Sequence, residues 1–324
     1  MLMLAAMPCA SCHPKQAAAH ERTHMRHTLM AAARSSVLKT PRLGALGKYR
    51  YTVSGENYRV TDGERTLDLP IRWAVGQGEA GQTFILERAG LLYESRVSYY
   101  AATGGLGPTI GAPPDDPKSL DEAAGRELTP RAVFECFGCH SVPPATPAPG
   151  VARGSLAWTQ TLKPGVQCES CHANAVRHAE RPALKPPKLA ELGAEEISDV
   201  CGKCHRTWAD IAANGPRGVA NVRFQPYRIA RSKCYDATDA RIACTACHDP
   251  HDRPSREAAR IASDRACAAC HASSGGRSGK KLCSTGAAKD CASCHMPKYE
   301  IPGSQFRFAD HWIRVARKND AYPD

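Results

Sequence analysis

The chain has 324 residues with 16 Cys, 13 His and only 6 Phe, and 43 Lys and Arg against 32 Asp and Glu give a formal net charge of +11. Mean hydropathy is −0.41, and no apolar run approaches the ~18 residues that a membrane-spanning helix needs, which excludes one. Aromatic residues make up 6% of the chain, thin for an ordinary core, so something other than Phe and Trp must fill the interior.

Residues 1–7, MLMLAAM, are a short apolar stub. They lack the charged start and the apolar length of a secretory leader, so the true start is expected upstream, or the sequence is trimmed. Residues 14–34 are rich in Ala and free of Gly. They read as one amphipathic helix with His20, His24 and His27 on a single stripe. Over 48–100 the runs KYRYTV, NYRVT, PIRWAV, QTFILER and LLYESRVSYY alternate with Gly-containing turns, the pattern of an antiparallel meander. Residues 103–150 read as loop, rich in Gly and Pro. Helix signals return at 188–200, 254–262 and 308–317.

Fourteen of the 16 cysteines fall in the pattern C-x-x-C-H. It occurs seven times: Cys9, Cys12 and His13; Cys136, Cys139 and His140; Cys168, Cys171 and His172; Cys201, Cys204 and His205; Cys244, Cys247 and His248; Cys267, Cys270 and His271; Cys291, Cys294 and His295. This is the attachment signature of a c-type haem. Two thiols three positions apart lie on one side of a helical turn and reach the two vinyl groups of one porphyrin, and the following His meets the iron. Zinc sites also use C-x-x-C pairs, but they have no need of a His after every second Cys. A thioredoxin-like redox pair has no such need either. The repetition implies seven covalently attached haems, with those seven histidines as proximal iron ligands.

Covalent haem assembly takes place outside the bacterial cytoplasmic membrane, so the expected location is periplasmic or extracellular, although no export signal is visible. Each haem adds about −1 when ferric and about −2 when ferrous, through its propionates, which brings the loaded protein near neutrality. The basic excess then reads as Arg and Lys paired with propionates rather than as a nucleic-acid surface. Six motifs crowd into residues 136–295, about 27 residues each, too few for a hydrophobic core of their own. The porphyrins must supply the apolar filling. The expected fold is mainly α with extensive loops organised around haems, plus a small antiparallel β-rich segment. It divides into 1–40 (first motif and helix), 41–135 (β-rich segment and loop) and 136–324 (six-haem domain).

A low-potential haem usually carries a second His or a Met on its other face. The candidates are His178, His251 and His311, then one or two of His20, His24 and His27, with Met25 and Met30 as rivals on the same helix. Met296 reads better as packing against a ring edge. Six spare histidines cannot serve seven haems, so at least one haem takes Met or keeps an open face. Cys234 and Cys283 remain, an even pair suited to a disulfide in an oxidising compartment, or else two buried thiols.

GVQCESCHANAVRH at 165–178, CTACHDPH at 244–251, CASCHMPK at 291–298 and DHWIRV at 310–315 resemble segments of the multihaem cytochromes related to cytochrome c-554. This superfamily includes hydroxylamine oxidoreductase and multihaem nitrite reductases. The resemblance covers 136–315 well and the first 30 residues loosely. It implies a multihaem cytochrome architecture, closely packed haem pairs and mostly bis-His ligation, with His178, His251 and His311 in the distal positions. It also implies periplasmic or extracellular electron transfer to redox partner proteins such as other cytochromes or quinol-linked complexes. Three functions follow: an electron carrier; an oxidoreductase of a small nitrogen or sulfur compound acting at an open haem face; or a subunit of a haem filament. The nitrite reductases commonly carry C-x-x-C-K, which this chain lacks, and that favours the carrier.

Overall fold

The computed structural model describes residues 8–144, 146–271, 289–317 and 320–323. It divides into two compact units, one of residues 24–170 with 300–306, the other of residues 1–23, 171–299 and 307–324.

The first unit is built on a ten-stranded sheet. Its strands are β1 (Leu29–Ala31), β2 (Arg42–Leu46), β3 (Tyr49–Ser54), β4 (Asn57–Thr61), β5 (Thr66–Val75), β6 (Gly81–Arg88), β7 (Leu91–Ser95), β8 (Val97–Tyr100), β9 (Gly105–Pro108) and β10 (Gly125–Glu127). All pairings are antiparallel, in the order β10-β7-β6-β5-β4-β3-β2, with β1 added to β5 and β8–β9 added to β6. The expectation of a mainly α fold with a small β segment is therefore corrected: the sheet is a major part of the molecule. The alternating runs over 48–100 gave its centre. The strands β1, β9 and β10 are short, and β2, β9 and β10 contain Gly, so each owes its conformation to the neighbour it pairs with rather than to its own propensity.

The sheet curls. Gly44 of β2 lies against Leu106 of β9 so closely that a Cβ at 44 would stand 2.6 Å from the Leu106 Cβ. The enclosed face holds Tyr49, Tyr51, Val53, Tyr58, Val60, Leu69, Ile71, Phe84, Leu86 and Leu106, capped by the short helix Leu120–Ala124. Strand β5 changes partner midway, pairing with β4 through Pro70 and with β6 from Ile71 onward. A bulge between Ile71 and Trp73 shifts its register, and the shift reverses which face the odd-numbered residues occupy. Leu69 and Ile71 thus line the enclosed face. Trp73 and Val75 join Ile85, Leu92, Val133, Phe137 and Trp158 in a second cluster outside it.

The second unit is mostly short helices and loops. Its main apolar cluster is small, centred on Ala194, Ile197 and Ala243. The expected single helix over 14–34 is corrected as well. It stops at His20, where the Thr23 hydroxyl and amide both donate to the His20 carbonyl, at 2.8 and 2.9 Å. Leu29–Ala31 pairs with Val75–Trp73 instead, so His20, His24 and His27 share no helical stripe. The helices at 188–200 and 254–262 exist as Ala194–His205 and Arg256–His271. The helix expected at 308–317 does not form. Arg307–Ala309 is a strand, and Asp310 then accepts the Trp312 amide at 3.1 Å, a local turn that competes with helix. No helix among the described residues is long and apolar enough to cross a membrane.

Candidate functional site

Each C-x-x-C-H motif has its cysteines on a single helical turn. The first is the 3-10 turn Pro8–Ser11, with the His13 amide donating to the Cys9 carbonyl at 2.8 Å. The third and fifth are the one-turn helices Cys168–Cys171 and Cys244–Cys247, and the seventh is Cys291–His295. The second, fourth and sixth end longer helices: Pro130–His140, Ala194–His205 and Arg256–His271. Those helices start on good caps. Thr129 accepts the Ala132 amide, the Glu196 carboxylate accepts the Gly193 amide, and Ser255 accepts the Ala258 amide, each holding an otherwise unpaired donor. Val133 and Phe137, four apart, bury one face of the second motif's helix together with Cys136, and burial raises the Cys136 thiol.

The non-motif histidines meet motif histidines in three places. The ring centres of His13 and His178 are 6.3 Å apart, those of His172 and His251 5.9 Å, and those of His248 and His311 6.3 Å. Two imidazoles on opposite sides of one metal, with bonds of ~2.0–2.1 Å and ring centres ~1.1 Å behind the nitrogens, stand ~6.3 Å apart. Several rings are also oriented through Nδ1. His178 meets the Leu184 carbonyl at 3.0 Å, His295 that of Arg314 at 2.8 Å, and His311 that of Ala309 at 3.1 Å. His140 meets the Thr28 hydroxyl at 2.6 Å and its carbonyl at 3.2 Å. Nδ1–H donated to a carbonyl fixes the tautomer that presents Nε2 to a metal. Burial pushes His311 down to about 4 and also lowers His172, His205 and His248, a direction that favours the neutral ring an iron ligand needs.

The N-terminal trio is placed differently. His24 Nε2 lies 3.0 Å from the Glu79 carboxylate, which engages the nitrogen that a metal would use. His20 is buried, and His27 is half-buried at the end of a 3-10 turn beside Met25. Met30 is in β1, opposite Ala74, and Met296 follows the seventh motif half-buried. Cys234 is exposed; its proposed partner Cys283 lies outside the described residues.

Five whole motifs, together with Cys171 and His172 of the third, neighbour one another within the second unit. His172 feels the charge of His13, and Cys201 that of Cys171. Cys201 and Cys244 adjoin in one apolar cluster, and their interaction holds Cys244 down to about 7 and pushes Cys201 well up. Cys267 neighbours Cys247 and Cys291. The amides of Asp290 and Cys291 donate to Asp264 at 2.7 and 2.9 Å, which ties the start of the seventh motif to the helix bearing the sixth. Neither the sequence of contacts nor the role of Asp264 was readable from motif spacing, since both depend on residues far apart in the chain.

Residues 160–272 match the family profile of cytochrome c3, and residues 116–173 match that of cytochrome c554 and c-prime. No curated protein matches the chain. Among solved structures, the outer cell wall cytochrome OcwA is similar at a TM-score of 0.39 and 16% identity, over 61% of this chain and 36% of that one. The chain thus spans little more than a third of that protein.

Proposed function

We propose that this multihaem c-type cytochrome carries seven covalently attached haems and passes electrons between them, in the periplasm or at the cell surface, to other redox proteins. The observation that carries the reading is the three neighbouring histidine pairs, His13/His178, His172/His251 and His248/His311, with ring centres 5.9–6.3 Å apart. A porphyrin brings four nitrogens of its own, so each pair of imidazoles would complete the ligation of one iron. Among the described residues no group of three or more His, Cys, Asp or Glu gathers as a metal cage, and a structural zinc would need four such ligands.

The haem iron supplies one-electron redox chemistry. The protein's own residues do the rest. The cysteines would tether the haem, and the acceptors of Nδ1 on His140, His178, His295 and His311 would fix ring orientation. The neighbour relations favour one file in the second unit, in the motif order 1–3–4–5–6–7, with the second motif seated on the sheet of the other unit. The division into a first motif with its helix (1–40), a β-rich segment (41–135) and a six-haem part (136–324) belongs to this proposal.

Pyridine haemochrome titration with intact mass is the direct test. Seven haems per chain are expected, and a colourless protein or one of bare polypeptide mass refutes the reading. A second reading, catalysis on a small nitrogen or sulfur compound at an open haem face, is favoured by the His deficit, which the Glu79 contact of His24 deepens. Electron paramagnetic resonance of the oxidised protein separates the two: absence of a high-spin ferric signal removes the open face.

A further inference from the structure

Asp310 and Arg228 form an ion pair whose side chains are both 0% exposed. Arg228 donates from Nε at 2.8 Å to one carboxylate oxygen and from Nη2 at 3.0 Å to the other. Arg314 Nη1 adds a bond at 2.6 Å, and the Trp312 amide one at 3.1 Å. Arg228 is itself anchored on the Asn221 side chain and the Pro323 carbonyl, at 3.3 and 3.0 Å. The guanidinium groups of Arg228, Arg231 and Arg314 lie 5.0–5.2 Å from the centre of the Trp312 ring.

A buried ion pair contributes little net stability compared with apolar residues of the same volume, but it fixes geometry, because breaking one partner strands the other. What this pair fixes lies at its two ends. One residue after Asp310 is His311, oriented by the Ala309 carbonyl and facing His248. Four residues after Asp310, the Arg314 carbonyl accepts from His295 Nδ1 at 2.8 Å, and the Arg314 amide donates to the His295 carbonyl at 3.2 Å. Arg314 is held in turn by Asp310 and by the Tyr299 hydroxyl at 2.9 Å.

We propose that Asp310 is a positioning residue that sets an axial ligand of two haems at once, His311 opposite His248 and His295 of the seventh motif. The proposal rests on the haem reading above. It makes two sites that are not adjacent in the file answer to one carboxylate.

The test is Asp310→Asn in the full haem-loaded protein, read by electron paramagnetic resonance and by spectroelectrochemical titration. His311→Ala serves as the reference for loss of that ligand. The expected result is a new high-spin ferric component matching that of His311→Ala. Two midpoints also move upward, because a negative charge has left the arginine cluster. Arg228→Lys keeps the charge but cannot make the two-pronged bond, so it gives the same high-spin component with smaller midpoint shifts. If Asp310→Asn does not accumulate, Arg228→Lys decides alone. Parent spectra and midpoints in every variant that retains its haems, with only thermal stability changed, overturn the proposal. A parent protein without seven haems would instead overturn the haem reading, and haemochrome counting shows which has failed.

Discussion

Replacing Thr28 by Val isolates one contact of one proposed haem ligand. The Thr28 hydroxyl lies 2.6 Å from His140 Nδ1, and the Thr28 carbonyl 3.2 Å. With iron on Nε2, Nδ1 carries the proton and donates it. Ferric iron draws charge from the ring, so the donated bond is stronger in the oxidised state and favours it. A neutral hydrogen bond contributes about 0.5–1.5 kcal/mol and one to a charged group about 1.5–3 kcal/mol. The oxidised state therefore gains about 1 kcal/mol over the reduced one, and ~59 mV corresponds to a tenfold change for one electron. The full bond is then worth ~45 mV; the backbone carbonyl survives the substitution and keeps part of it, leaving an upward shift of ~20–45 mV. Spectroelectrochemical titration should show one of the midpoints rising by that amount, and Thr28→Ser should restore it. A set of midpoints unchanged within ~10 mV, or a downward shift, refutes the orienting role.

His178→Ala and His251→Ala should each convert one low-spin haem to high spin, whereas His24→Ala, whose Nε2 is engaged by Glu79, should leave the spectrum unchanged; magnetic resonance of the three variants checks this. Gly165 has φ +78° and a Cβ there would stand 1.9 Å from the Arg26 carbonyl oxygen, so Gly165→Ala should cost about 3 kcal/mol or more. Gly55, at φ +58° with nothing within 4 Å, should cost only about 1 kcal/mol on the same change, and thermal unfolding ranks the two. The backbone donors of Asp290 and Cys291 hold Asp264 below the usual carboxylate range. The stability from this contact is complete above the ordinary carboxylate value and lost as pH falls through the lowered one. Asp264→Asn should flatten that part of the acid-unfolding profile, and an unaltered profile would count against the contact.

The motifs were legible because covalent attachment demands fixed chemistry at fixed spacing. No tertiary contact is needed to see Cys168, Cys171 and His172 as a set. The same holds for the alternating strands β3–β8, whose apolar faces are local. Met30 illustrates the opposite case. Its Ala-rich surroundings favour a helix, yet the residues around it pair with Trp73–Val75, and a distant strand overrode local propensity. The end of the chain misled for a related reason: FADHWIRV has helical spacing, but Asp310 turns the backbone and meets Arg228, 82 positions away. Pairing of motif His with non-motif His was readable only as a deficit. Which ring faces which depends on how the short helices lie, and motif spacing does not encode that.

The two units differ in how much apolar surface their polypeptide alone can hide. The sheet has two large clusters of Tyr, Leu, Ile, Val and Phe, while the other unit's main cluster centres on Ala194, Ile197 and Ala243. Pigment insertion is consequently a different event at different motifs. On the proposed reading, the maturation machinery would meet at Cys136 a target mounted on an apolar scaffold that the polypeptide supplies itself. At the other motifs each ligation would bring the apolar material around which that stretch condenses, so that attachment and folding there would be one step.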